Sequence, residues 1–326
     1  MVREDASKVE WIKYVEGDQR KVALPVTRPK LWHMYEVSAE LFWNVKEILM
    51  ADDVRHWTTL SDGEKHCIEF ILSFFAEADG LVCDNINERF LEDIDIYEVT
   101  RFYNFQQTME DIHALTYAIQ LDAIVPDAAR REFLLNGAKN IPVIGRMREY
   151  IIRCMSSDAP FPERALRMAM VEGLFFQSCF LIIYWFGRQG KMPGLCQANE
   201  LIARDECMHT QFALQLLMLV QPKYKLTTAE THEIVREAVE IACAFARDAV
   251  PNGIPELNYA LMVPYIQNCA DVILADIGVP LLYRVKHTFE WMDLINLKHK
   301  TNFFERRVSE YSKSTEAPTN AIDEDF

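Results

Sequence analysis

Glycine is scarce in this sequence, at eleven of 326 residues, and no Gly-rich phosphate loop is found among them. That removes the familiar nucleotide cradles and disfavours a strand-and-turn architecture. None of the eight cysteines forms a Cys-x-x-Cys pair. Thioredoxin-type redox pairs and thiolate zinc sites are therefore excluded, and scattered reduced thiols fit a cytoplasmic protein. Positive charge is short as well: 34 Lys and Arg face 49 Asp and Glu, for a net charge of −15. A nucleic-acid-binding surface is not expected from that balance. The opening stretch "MVREDASKVEWIKYVEGDQRK" is charged throughout, so no signal peptide is expected there. No internal repeat and no linker between two domains can be recognised.

What the sequence does have is long apolar patterning. Half of its residues are hydrophobic, enough to bury a large core. The longest run, "MAMVEGLFFQSCFLIIYWF" (168–186), could cross a bilayer by length. Mean hydropathy over the whole chain is nevertheless −0.08, and this is the single such run. A helix apolar on all sides is equally the central helix of a large bundle, and no membrane association is expected. The run has one anomaly, Glu172. An isolated buried carboxylate costs several kcal/mol even after relaxation, so something nearby must neutralise it.

The pattern predicts an all-α protein. Residues 1–30, with Pro25 and Pro29, read as a surface arm, and helix begins at Trp32. Ser61 is the expected N-cap of a helix reaching about Phe90, with Ile68, Leu72, Phe75, Val82 and Ile86 on one stripe and Asp79 in line with them. Further helices are expected over 96–124, 127–155, from Pro162 to about 187, and over 198–220. Another opens at the capping box of Thr227 and Glu230, and more cover 256–293. The stretch "SKSTEAPTNAIDEDF" (312–326) is polar and acidic and reads as a disordered tail.

Two helices carry the same motif. "MEDIHALTY" holds Glu110 and His113, and "RDECMHTQF" holds Glu206 and His209, each pair one helical turn apart. With 49 acids among 326 residues and eight histidines, about one such pair is expected by chance, and Asp53–His56 reads as that one. The signal lies in the ensemble: Asp79 and Glu172 stand on two further apolar helices. Two cations would neutralise four carboxylates that have few cationic partners. Oxygen and imidazole ligands without thiolate suit iron or manganese. Two Glu-x-x-His helices facing two single-carboxylate helices form the dinuclear bundle arrangement. Tyr117, one turn beyond His113, falls beside this site, with Phe176, Phe180 and Ile202 on adjoining helices.

The segments "FFAEADGLV", "RFYNFQQTMEDIHALTY", "RMAMVEGLFF", "MPGLCQANELIARDECMH", "KTNFFERRVSEY" and the terminal "DEDF" resemble the small, radical-generating subunit of class Ia ribonucleotide reductase, eukaryotic-like, over nearly the whole chain. The resemblance implies a ferritin-like helix bundle with flanking helices, spanning residues 31–311. It implies that Asp79, Glu110, His113, Glu172, Glu206 and His209 hold two irons, with manganese as the alternative. Tyr117 then corresponds to the stable radical, lined by Phe176, Phe180 and Ile202. Trp43 in "ELFW" resembles the electron-transfer tryptophan, and Asp205 the carboxylate joining it to His113. Tyr311 resembles the tail tyrosine that hands oxidation to the large subunit. Ile322, Asp323, Glu324, Asp325 and Phe326 resemble the docking peptide for that subunit. The family further implies a homodimer that consumes O2. Departures from the family pattern occur at Cys179, Gln177, Ala114 and Leu115. They bear on oxygen access and radical lifetime, not on the ligand set.

Two other readings compete. A dinuclear-iron oxygenase or desaturase would use similar ligands but calls for a substrate channel and a glutamate at the first position, where Asp79 stands. A metal-storing bundle would form a cage and have no use for Tyr117 or an acidic tail.

Overall fold

A computed structural model describes residues 20–292, apart from 92, 93, 95, 157, 221 and 288, together with Ile295. The chain divides into two compact units, Met1–Thr288 and Phe289–Phe326. All that follows concerns the first. The expected tail, with Tyr311 and residues 322–326, lies outside the described residues.

Local capping chemistry sets where the helices start. After α1 (Pro29–Glu40) and the short α2 (Ala51–Trp57), Ser61 opens α3 (Asp62–Asn85). The Ser61 hydroxyl accepts from the Glu64 N–H at 3.3 Å and the Glu64 carboxylate accepts from the Ser61 N–H at 2.9 Å, a reciprocal box. α4 covers Tyr97–Ile124. Three short helices follow, α5 (Ala128–Leu135), α6 (Gly137–Asn140) and α7 (Pro142–Ser156). The apolar run becomes α8, Phe161–Arg188. α9 is Pro193–Leu219, α10 is Thr228–Ala249 behind the Thr227–Glu230 box, and α11 is Tyr259–Asp276. No strand occurs among the described residues, only an isolated bridge between Ile254 and Leu257.

α3 packs along α4 and α8 along α9, with α1, α10 and α11 on the outside. α4 and α9 run antiparallel: Phe102 near the start of α4 stacks on Phe212 near the end of α9, their rings 3.6 Å apart and within 3° of parallel. His113 of α4 then meets Asp205 and Glu206 of α9. α8 is the one described helix long and apolar enough to cross a membrane, and 83% of its apolar window is buried inside the protein. Its hydrocarbon is satisfied by neighbouring helices.

Three boundaries differ from the sequence expectation. α9 begins at Pro193, inside the stretch expected to be loop, because proline's fixed φ suits the first helical position. The helix reaching Phe90 changes to a π turn at Ile86–Phe90. The span 256–293 is helical in α11 and again at 290–292 among the described residues, but not between them: after Gly278, at φ 72°, the Asp271 carboxylate gathers the N–H groups of Leu282, Tyr283 and Arg284 and fixes a loop.

α8 has a further irregularity that sequence patterning does not reveal, a π turn over Val171–Phe176 with Glu172 inside it. Gly173 sits in that turn. A Cβ there would lie 2.7 Å from Thr210 Cγ2 and 2.9 Å from Ile273 Cδ1. Gly173→Ala gains about 1 kcal/mol of helix propensity but overpacks the α8–α9–α11 contact, at a cost of about 1–3 kcal/mol. The expected outcome is a net loss of about 1 kcal/mol in urea unfolding. Unchanged stability would mean that Thr210 and Ile273 yield without cost.

Candidate metal centre

The four central helices each contribute to one buried cluster. α3 brings Asp79, α4 brings Glu110 and His113, the π turn of α8 brings Glu172, and α9 brings Glu206 and His209; all six are at most 3% exposed. They fall into two sets of converging ligand atoms, Asp79–Glu110–His113 and Glu110–Glu172–Glu206–His209, with Glu110 in both. Glu110 lies 3.3 Å from His113 Nδ1 and 3.1 Å from His209 Nδ1. Glu206 lies 3.1 Å from His113 Nδ1 and 3.5 Å from His209 Nδ1. Each of these two carboxylates thus spans both histidines, the position of a bridging ligand.

Asp79 Oδ2, Glu110 Oε2, both Glu206 carboxylate oxygens and the Nδ1 atoms of both histidines are buried with no hydrogen-bond partner. Buried polar atoms are almost always satisfied. Six unsatisfied ligand atoms aimed at one interior point fit two cations that accept their lone pairs. The two ligand sets sharing Glu110 are the arrangement that suits a dinuclear metal site.

Electrostatics agree. Burial, reinforced by Glu110, pushes Asp79 well above the ordinary carboxylate range. Burial does the same to Glu172. Burial also opposes ionisation of Glu110, but the adjacent histidines outweigh it and bring that carboxyl down to about 2. Both imidazoles are raised although burial acts to lower them, His113 by the neighbouring carboxylates of Asp205, Glu110 and Glu206, and His209 by those of Glu110 and Glu206.

A polar line leads outward. Asp205 Oδ2 lies 3.2 Å from His113 Nε2 and accepts from Trp43 Nε1 at 2.7 Å. The indole also lies face to face with His113, centroids 5.8 Å apart. On the other side, Tyr117 stacks on Phe75 at 4.3 Å and 8°. Phe176 and Phe180 pack on the same Phe75 ring, at 5.4 and 5.6 Å. The Tyr117 hydroxyl has no hydrogen-bond partner. Ile202 is buried on α9, one turn before Glu206. Cys179 is fully buried, and its thiol is raised by desolvation.

Sequence reasoning missed two participants. Gln106 donates from Nε2 to Glu110 at 3.0 Å and to Glu172 at 2.8 Å. Its signal was available: a glutamine one turn before Glu110 on the same apolar face. Phe75 was visible only as a member of a core stripe, because its stacking on Tyr117 depends on how two helices meet.

The family model "Ribonucleotide reductase, small chain" matches residues 20–290. The protein is 38% identical over 291 residues to the ribonucleoside-diphosphate reductase small chain of Nicotiana tabacum, covering 89% of this sequence and 88% of that one. It is 40% identical over 302 residues to the small chain of Trypanosoma brucei brucei, covering 92% and 88%. Among solved structures, the ribonucleotide reductase Rnr4 homodimer of Saccharomyces cerevisiae aligns with a TM-score of 0.80 at 26% identity, over 95% of this protein and 97% of that one. The dimanganese(II)-NrdF of Streptococcus sanguinis shares the fold, with a TM-score of 0.71 at 16% identity, over 82% and 94%.

Because both ligand histidines hold protons well past their ordinary titration range, metal must displace them. Binding of a divalent cation at pH 7 is expected to release about two or more protons per chain. Apparent affinity should rise with pH until the raised histidine values are passed. Calorimetric titration in buffers of different ionisation enthalpy reads this directly. Uptake without proton release would show that the imidazoles are already neutral.

Proposed function

The chain belongs to the ribonucleotide reductase small-chain family, and from that premise we propose which residues carry out the family's work here. A small chain of this family generates a tyrosyl radical for the reduction of ribonucleotides to deoxyribonucleotides, which takes place with the large subunit. The observation that carries the assignment is the pairing of a cluster in which Glu110 serves two ligand sets with a dry tyrosine stacked one helical turn away.

Asp79, Glu110, His113, Glu172, Glu206 and His209 hold two ions, which we take to be iron, since the donor set is oxygen and imidazole. When bound, the metal pair supplies electrons for O2 reduction and the oxidising power to take an electron and a proton from a phenol. The remaining steps belong to the chain. Tyr117 is the residue oxidised. Burial first, then the nearby Asp79 and Glu206 charges, hold its phenol far above its ordinary pKa. It therefore carries its proton until oxidation and must lose proton and electron together. Phe75, Phe176, Phe180 and Ile202 keep water away from the ring, which lengthens the life of an unpaired electron. Gln106 orients Glu110 and Glu172 toward the metals. Asp205 fixes the His113 ring and, with Trp43, forms the electron route to the centre.

The protein works as a cytoplasmic homodimer. Tyr311 passes the oxidation onward, and Ile322 to Phe326 dock on the large subunit. That segment is too polar to fold alone, yet two apolar anchors among three acids suit an ordering-on-binding peptide. An oxygenase or storage role would leave the tyrosine pocket and this tail without purpose.

Tyr117→Phe is expected to retain two metals and O2 consumption but to give no tyrosyl signal by electron paramagnetic resonance and no reductase activity. A tyrosyl signal persisting in that variant would relocate the radical. Deleting residues 320–326 should preserve the dimer, the metals and the signal while abolishing turnover with the large subunit. Wild-type affinity of the truncated protein for the large subunit would overturn the docking role.

A further inference from the structure

The chain has three acid-x-x-His pairs on helices, and the metal centre uses two. The third, Asp53 and His56 on α2, meets the opposite end of the ligand helix α9. α9 begins without a cap of its own. Met192 at the N-cap is left-handed (φ 52°, ψ 59°) and makes no side-chain capping bond, and Pro193 has no N–H. Asp53, 2% exposed, supplies the cap from outside. Its Oδ1 accepts from the Gly194 N–H at 2.8 Å and its Oδ2 from the Leu195 N–H at 2.7 Å. His56 Nδ1 accepts from the Met192 N–H at 3.0 Å. Position 194 has no room for a side chain, since a Cβ would lie 2.7 Å from the Leu49 carbonyl oxygen and 2.9 Å from Asp53 Oδ2.

The segment between α1 and α2 is tied to α9 at further levels. Gln197 Nε2 donates to the Glu47 carbonyl at 3.0 Å, and Gln197 Oε1 accepts from the Leu49 N–H at 3.5 Å. Arg204 Nη2 donates to the Leu41 carbonyl at 2.7 Å, and Trp43 Nε1 donates to Asp205 at 2.7 Å. Residue numbers rise from 41 to 56 as they fall from 205 to 192 along α9. Residues 41–56 are therefore a strap laid antiparallel along the helix. Phe42, Leu49 and Val54 on it are exposed, and its buried apolar side chains are Trp43 and Ile48, so polar ties share the work of holding it down. Carboxylates supply the buried ties at both ends of the strap, Asp205 at Trp43 and Asp53 at the start of α9, and Asp53 alone takes two backbone N–H groups.

We propose that Asp53 is a positioning residue for Trp43: by capping α9 it sets the register of the strap and so holds the indole against His113 and Asp205. The functional consequence rests on the relay role proposed above for Trp43; the positioning itself does not. α9 carries Asp205, Glu206 and His209, so one carboxylate fixes both the ligand helix and the tryptophan that touches it.

The test uses the full-length, metal-free chain labelled with 5-fluorotryptophan, whose six fluorine lines include Trp43, identified by its loss in Trp43→Phe. Asp53→Ala should shift and broaden the Trp43 line while leaving the Trp185 line in place. Asp53→Asn, which keeps one acceptor oxygen, should lie between it and the wild type. Gln197→Ala, which cuts only the middle ties, should move the same line less and covers the case in which Asp53→Ala does not fold. In the metal-loaded enzyme with its large subunit, Asp53→Ala should lower kcat about tenfold or more at unchanged KM, as misplacement of a reacting group by a fraction of an ångström does. An unmoved Trp43 line in Asp53→Ala overturns the proposal, and so does equal displacement of all the lines, which would make Asp53 a general fold determinant. A moved line with unchanged turnover leaves the positioning standing and overturns the relay role of Trp43.

Discussion

Glu110 and Glu206 each lie within 3.1–3.5 Å of both His113 and His209, with Asp79 and Glu172 closing the two ends. Four carboxyl groups brought this close in a dry interior repel one another and are poorly solvated, and no rearrangement of the apolar core can relieve that. Much of the surrounding structure answers to this constraint. Gln106 divides its two N–H bonds between acids from two helices. Asp205 takes up the outer nitrogen of His113. The antiparallel run of α4 and α9 makes the two Glu-x-x-His turns face each other. A fold that tolerates such crowding is built to bind cations, because cations are what turn the repulsion into cohesion.

The surroundings of the Tyr117 ring obey the opposite rule. The ring of Tyr117 stacks on Phe75, and its hydroxyl has no hydrogen-bond partner although Asp79 and Glu206 lie near. Cys179 belongs to that region of α8, and its chemistry is compatible with it. Burial raises the thiol, and the thiolate is the form that reacts readily. A neutral, fully enclosed sulfur behaves there as a small apolar group. Polar and apolar halves of the site thus meet across one turn of α4, between His113 and Tyr117.

Much of this was legible in the residues. Acids and histidines at helical spacing on otherwise apolar faces can be read from a sequence because period and burial are both encoded locally. The capping boxes at Ser61 and Thr227 were equally plain. What stayed hidden depends on tertiary registration. Gln106 looks like any core glutamine until α8 is placed beside α4. Phe75 looks like packing until α3 delivers it face-on to Tyr117. Asp53 and His56 match a metal motif and, from the residues alone, read as coincidence. In the fold both side chains serve the ligand helix by accepting from N–H groups at its start. The loop after Gly278 was read as helix because nothing in its own residues announces that Asp271, on the preceding helix, will capture its backbone.

The π turn of α8 has a consequence for how that segment reads as a string of letters. One extra residue in a helix of 3.6 residues per turn rotates everything beyond it by about 100°. The face that Met168 and Ala169 present to the core is therefore not continuous with the face presented by Phe180 and Ile183. Ser178 to Phe186 are nonetheless buried without a break, so the second half of α8 is enclosed by neighbours on every side. The resemblance of residues 168–186 to a membrane anchor thus comes from a helix that meets protein on all sides, and the inserted residue decides which of those sides carries Glu172.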